Sequence, residues 1–132
     1  MMNEWDHHEE PVADCRPRAA FDLFAHTWDP VVLTTLRRGP RRRTELRAEI
    51  GGISDKALTE AVRRLLGYGL IARRSHAESP PRVEYLTTRL GTTLVDGPLT
   101  ALASWVREHG DELGVPDSTV TTSLRRIDNP PN

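Results

Sequence analysis

The chain has 132 residues, 18 basic against 19 acidic side chains, and a single cysteine. That length supports one core and leaves little chain for an enzymatic cleft, and one cysteine excludes an intrachain disulfide framework. No apolar run approaches the roughly eighteen residues of a membrane helix, and the N-terminus lacks the basic start and apolar stretch of a secretory signal, so a cytoplasmic protein without membrane contact is expected.

The net charge of −1 hides an asymmetry along the chain. Residues 1–36 hold two arginines against seven acids, a net of −5, and residues 90–132 hold three arginines against six acids, a net of −3. Between them, residues 37–89 hold twelve arginines and one lysine against six acids, a net of +7. A basic middle between acidic flanks suggests a surface that faces a polyanion.

Residues 1–14 are acidic and polar and read as a flexible arm. Their His7-His8 pair is a poor chelate, because adjacent side chains diverge on a helix and alternate on a strand. Cys15 to Ala25 reads as a short helix, with Ala19, Ala20, Leu23 and Phe24 at helical spacing. Trp28-Asp29-Pro30 opens a second helix: Asp29 is suited to cap, Pro30 to the first helical position and Trp28 to a staple against Leu33. Gly39-Pro40 ends it, and Arg41-Arg42-Arg43 leads onward as three adjacent cations that stay solvated or meet phosphates.

Residues 43–70 organise the chain. A helix from Thr44, its expected N-cap, presents Leu46 and Ile50 to the core and stops at Gly51-Gly52. Ile53 points inward, and Ser54 is placed to cap a longer helix whose apolar stripe is Leu58, Val62, Leu65 and Leu66. The remaining face carries Asp55, Lys56, Thr59, Glu60, Arg63 and Arg64. A short helix, a glycine turn and a helix with a polar, basic outer face form a helix-turn-helix candidate. Residues 70–74 and 82–87 then read as two strands separated by Pro80-Pro81, a wing that carries Arg73, Arg74 and Arg82.

Thr88 is placed to cap the last long helix. Its apolar stripe, with Leu90, Leu94, Leu99, Leu102, Trp105 and Val106, is wide for one small domain and suggests burial against a second copy of the chain. Gly97-Pro98 should bend or split that helix. Residues 115–132 form a polar tail.

The fold class expected is mainly α with a small β-hairpin: a winged helix-turn-helix over residues 15–114, its terminal helices forming a dimer interface. The chemistry expected is DNA binding. Arg41, Arg42, Arg43 and the wing arginines would meet phosphates, while the face from Ser54 to Arg64 enters the major groove. Arg63 is the best candidate for guanine, Thr59 offers a hydroxyl or a methyl, and Asp55 and Glu60 either accept from cytosine or pair with Lys56 and Arg64 along the helix. Scattered histidines, no metal spacing and no phosphate-cradling glycine loop argue against an enzyme, a cofactor or a metal. A winged helix that binds protein without specific DNA affinity is the competing class.

These residues resemble the HxlR family of winged helix-turn-helix transcription regulators, relatives of the MarR type. The resemblance runs through Cys15, Trp28, Gly39-Pro40-Arg41-Arg42, Thr44-Glu45-Leu46, Gly52-Ile53-Ser54, Leu58-Thr59, Leu65, Gly69-Leu70-Ile71, Pro80-Pro81-Arg82-Val83-Glu84-Tyr85, Gly91, Leu94 and Trp105. It departs from the family at Ala25-His26-Thr27 before Trp28, at Arg43, where an aromatic is usual, and at Thr87, where an apolar residue is usual. It implies a dimeric repressor or activator, here expected to be a repressor bound as a homodimer to a pseudo-palindromic double-stranded DNA operator. It also places Cys15 where some members sense oxidants or electrophiles, so Cys15 is a candidate redox sensor. A small-molecule effector would find room in the crevice between the first helices and the dimer helix.

Overall fold

The structure is a computed structural model and describes residues 16–114. The acidic arm, Cys15 and the polar tail lie outside the described residues. In chain order the elements are α1 (Arg16–Asp22), α2 (Trp28–Arg37), α3 (Arg43–Ile50), α4 (Asp55–Gly67), strands β1 (Ile71–His76) and β2 (Arg82–Thr87), α5 (Arg89–Leu94), a π-helical turn (Val95–Leu99), α6 (Thr100–His109) and a 3-10 turn (Gly110–Glu112). The architecture is mainly helical with one antiparallel hairpin, a winged helix-turn-helix.

Helix α2 is the central element and touches α3, α4, α5, β2 and the π-turn. Its buried side is Val32, Leu33 and Leu36, which meet Leu58, Ala61, Val62 and Leu65 of α4. Leu46, Ile53, Leu70, Ile71 and Val95 complete the core. The expected stripe of α4 needs one exchange. Ala61 is buried and Leu66 is more than a third exposed, because the centre of the buried arc falls between Leu58 and Leu65.

Between α3 and α4 the chain turns on Gly51 and Gly52, both at positive φ (69° and 70°), which a side chain would strain. Ser54 caps α4 by accepting a hydrogen bond from the Ala57 amide at 3.1 Å. The cap of α3 is not Thr44, which sits inside the helix. Arg42 occupies the cap position in extended backbone, and its amide donates to Glu45 Oε1 at 2.9 Å. Nor does Asp29 cap α2. That helix begins at Trp28 with no side-chain cap, and the Asp29 carboxylate is used elsewhere.

The wing pairs Ile71 with Thr87 through to His76 with Arg82, so β1 runs two residues beyond the expected strand. Alternation puts Arg73 on the face of Ile71 and Tyr85, and Arg74 on the face of Glu84. On the free edge of β2, Arg41 exchanges two backbone hydrogen bonds with Tyr85, at 3.0 and 2.8 Å. This bridge extends the sheet by one residue at the entry to α3.

Thr88 caps α5: its Oγ1 accepts from the Gly91 amide at 3.1 Å and donates to the Gly69 carbonyl at 2.6 Å. The long helix is interrupted where Gly97-Pro98 falls. Proline supplies no amide, the helix widens into the π-turn, and Thr100 Oγ1 donates to the Val95 carbonyl at 2.7 Å. Arg37 of α2 grips Asp96 of this turn with both ends of its fork, Nε to Oδ1 at 2.9 Å and Nη2 to Oδ2 at 3.0 Å. Thr87, at a position where an apolar residue is usual in the family, shares a hydrogen bond with Thr92 at 3.2 Å.

The tightest approach in the fold is at Gly91, where a Cβ would lie 2.0 Å from the Leu70 carbonyl oxygen. Gly91→Ala should therefore cost about 3 kcal/mol or more, since the obstacle is backbone and cannot swing aside. Gly67→Ala, with nothing within 4 Å of the new methyl, should instead stabilise by about 0.5–1 kcal/mol. Urea denaturation of the two variants against wild type checks both signs.

Candidate nucleic-acid interface

The polar face of α4 is sorted by what each side chain already holds. Arg64, expected on the outer face, instead borders the buried stripe and turns toward α2. Its Nε and Nη2 bind the Asp29 carboxylate at 2.8–3.1 Å, and Asp29 is 4% exposed. The hydrogen bonds that Arg64 donates to Asp29 raise its pKa, which fixes the guanidinium as a cation. A carboxylate that deep must be paired, so Arg64 is committed to the fold and not to the outward face of α4.

Arg43 is the second correction. It does not stand solvated with its neighbours but reaches from α3 to α4. Its Nη2 donates to the Asp55 carbonyl at 3.0 Å and to Thr59 Oγ1 at 2.7 Å. The Asp55 carboxylate lies 3.6 Å from Arg43 and 3.1 Å from Arg47. Asp55 thus pairs across the helix-turn-helix with α3 and not with Lys56 along its own helix. Ser54 spends its oxygen on the cap.

The three-arginine run is divided in the same way. Arg41 is held by Glu49 at 2.8 Å, with Arg38 also on Glu49 at 3.3 Å, and Arg42 lies 3.8 Å from Glu45. Each has a carboxylate on α3, although Arg38 and Arg42 keep more than half of their side chains in water. On the wing, Glu84 gathers Arg74 at 3.5 Å, His76 at 3.2 Å and Arg82 at 3.0 Å, and Arg82 also reaches Glu78 at 3.5 Å. The buried Nε2 of His76 and Nε of Arg82 lie at these distances from Glu84 without hydrogen-bond alignment.

Among the described residues this leaves Lys56 and Arg63 on α4 and Arg73 on β1 as exposed cations of this surface with no acidic partner within 4 Å. Lys56 and Arg63 are seven residues apart on one helix face, about two turns, with Glu60 between them. Arg73 projects from the wing face opposite to Glu84. The spacing in the sequence indicated the α4 pair, but nothing in it separated Arg73 from Arg74. Strand register decides that.

The Glu49 carboxyl is held below its ordinary range chiefly by the hydrogen bond from Arg41, and Asp96 by that from Arg37. Lowered carboxyls stabilise the fold above the ordinary carboxylate range, and that contribution is lost as pH falls through the lowered values.

The far end of the protomer carries a different surface. Leu90, Leu102, Trp105 and Val106 are exposed on α5 and α6, and the Trp105 ring stacks on His109 with centroids 4.9 Å apart. Leu94 and Leu99, expected in the same interface, are partly buried and pack against the chain's own core. A crevice of about 420 Å³ lies between the two regions, lined by Leu23, Tyr68, Leu70, Leu90, Thr93, Leu94 and Pro98. Among the described residues no helix is long and apolar enough to cross a membrane, and among them no group of three or more His, Cys, Asp or Glu side chains is placed to hold a metal ion.

A hairpin wing beside a two-helix reader defines the winged helix-turn-helix class. Residues 23–113 match the HxlR-like helix-turn-helix family, and the chain belongs to it: it is a transcriptional regulator of that family. The chain is 34% identical over 103 residues to the HTH-type transcriptional regulator YtfH of Escherichia coli K12, spanning 78% of this chain and 77% of YtfH. The crystal structure of YtcD, a regulator known from Bacillus subtilis, is similar with a TM-score of 0.68 and 31% identity over 74% of this chain and 98% of that one. Two structures of the B. subtilis transcriptional regulator YodB are also similar. The reduced form has a TM-score of 0.62 at 28% identity, covering 77% and 96% of the two chains, and the diamide-treated form 0.62 at 25%, covering 83% and 100%.

The Asp29–Arg64 pair and Arg63 make opposite demands on neighbouring residues. Asp29→Ala should destabilise by about 3 kcal/mol, the lower end for a broken buried pair because Arg64 keeps 27% of its side chain in water. Arg63→Ala should leave the unfolding free energy within about 0.5 kcal/mol of wild type, as for an exposed side chain without partners. Guanidinium titrations of the two variants read the difference directly.

Proposed function

We propose that this regulator is a DNA-binding repressor that acts as a homodimer on a pseudo-palindromic operator. The observation that carries the reading is the selective commitment of charge. Within residues 37–89 the arginines other than Arg63, Arg73 and Arg89 have an internal carboxylate, whereas the outward face of α4 keeps Lys56 and Arg63 uncommitted. An unpaired Lys–Arg face on a helix held at its N-terminus by a turn fits the major groove, where phosphates fix register and base edges fix sequence.

In this reading α4 is the recognition helix, Arg63 meets guanine, and Arg73 on the wing takes a phosphate or the adjoining minor groove. Arg38 and Arg42, exposed despite their pairs, border the same surface. The faces of α5 and α6 that carry Leu90, Leu102, Trp105 and Val106 bury against a second copy and space the two recognition helices. A small apolar effector fits the crevice beside Tyr68 and Leu94.

Gel shift on the selected operator and on random duplex tests the assignment. Arg63→Ala should lose about 1–3 kcal/mol on the operator and relax its base preference, while Arg73→Ala should weaken both duplexes alike. Equal loss by both variants on random DNA would remove α4 as the reader. Leu102→Glu should convert the dimer to a monomer in sedimentation by placing a charge in the interface, and an unchanged dimer would remove that interface.

A thiol response is a further part of the proposal, supported by YodB, a similar regulator with reduced and diamide-treated forms. Cys15 is the one thiol of the chain, so its oxidation joins two subunits or adds a small thiol. Diamide should release wild-type protein from its operator and leave Cys15→Ser bound. Retained binding by wild type with Cys15 shown modified by mass spectrometry would exclude the switch.

A further inference from the structure

Thr59 lies on α4 between Lys56 and Arg63, at the i+3 position from the first, half-buried at the border of the outward face. A threonine there brings two recognition groups, a hydroxyl and a methyl, and in this chain they are not equally available. The hydroxyl proton is directed at the Asp55 carbonyl, 2.9 Å away. The same oxygen receives the Arg43 guanidinium at 2.7 Å, and that Nη2 is itself anchored on the Asp55 carbonyl at 3.0 Å.

A hydroxyl has one proton to give. With that proton spent, Thr59 cannot donate to guanine N7 or O6, adenine N7 or thymine O4, the acceptors of the major-groove edge. Turning the proton outward would forfeit the bond to Asp55 and disturb an oxygen already held by a charged donor, one of the stronger kinds of hydrogen bond in proteins. The methyl carries no such commitment. One apolar group on the major-groove edge of unmodified DNA matches it, the C5 methyl of thymine.

We propose that Thr59 reads a thymine in each half-site through methyl–methyl contact, with Arg43 acting as a positioning residue that locks the hydroxyl away from the groove. The proposal rests on the reading of α4 as the recognition helix. It assigns Thr59 to thymine specificity and Arg43 to the architecture of the reader, not to phosphate contact.

The test begins with selection of operators from random duplex by the full-length wild-type chain, followed by replacement of each thymine in turn by uracil. Uracil keeps the Watson–Crick pairing and the O4 acceptor and lacks the C5 methyl. One position per half-site should weaken wild-type binding about fourfold on substitution, and the symmetric double replacement about fifteenfold, the value of one buried methyl per site. Thr59→Val, which keeps a methyl and loses the hydroxyl, should retain the discrimination. Thr59→Ser, which keeps the hydroxyl and loses the methyl, should bind thymine and uracil operators alike. Uracil sensitivity that persists in Thr59→Ser, or that disappears in Thr59→Val, overturns the proposal alone, as does an operator with no thymine that matters. Failure to enrich any sequence removes the DNA reading, and this proposal with it.

Discussion

The contact on which the reader depends is the ion pair between Asp29 and Arg64. Asp29 is the buried charged residue among the described residues, and it sits at the start of α2, the helix around which the others pack. Its carboxylate accepts three hydrogen bonds from one guanidinium. The fork geometry of arginine fixes orientation as well as distance, so the pair and the buried stripe of Leu58, Ala61, Val62 and Leu65 orient α4 in the same sense. Rotation is what decides whether Lys56 and Arg63 face outward. With Arg64 turned inward, the two cations on the opposite arc cannot also turn inward.

The same logic extends across the surface. A basic segment of net +7 suggests a cationic patch; Asp29 and Asp96, from outside it, offset two of those charges, and most of its arginines are held by a carboxylate they share. Asp55 collects Arg43 and Arg47, Glu49 collects Arg38 and Arg41, and Glu84 collects Arg74 and Arg82. Exposed pairs of this kind add little stability each. Their effect is on placement: they hold the helix-turn-helix and the wing in register and leave few cations to choose where a polyanion lies. Specificity in this account comes from the subtraction of charge as much as from its presence.

Much of the fold was legible in the sequence, and particular residues show why. Gly51-Gly52 and Ser54 act locally, through φ and a cap within three residues, so their pattern carried the turn and the start of α4. Thr88 and Gly97-Pro98 did the same for the terminal helix. What was not legible depended on partners distant along the chain. Asp29 looked like a cap because a cap is its commonest use at a helix start, yet its partner stands 35 residues away. Arg43 looked like one of three solvated cations until α3 and α4 were set side by side. Arg73 and Arg74 were indistinguishable until strand register sent them to opposite faces. The stripe of the last helix is apolar as its sequence indicates, but Leu94 and Leu99 pack partly against the chain's own core, a contact with elements distant in sequence.

The central claim, that Lys56, Arg63 and Arg73 are the uncommitted cations that meet DNA, is tested most directly by the salt dependence of operator binding. Lys56, Arg63 and Arg73 in a homodimer make six cations, and release of their counterions gives a slope of log K against log salt of about −5. A slope near that value supports the account. A slope near zero would contradict polyanion binding, and one steeper than about −10 would require the carboxylate-held arginines to leave their partners for phosphates, contradicting the assignment of those residues to the fold.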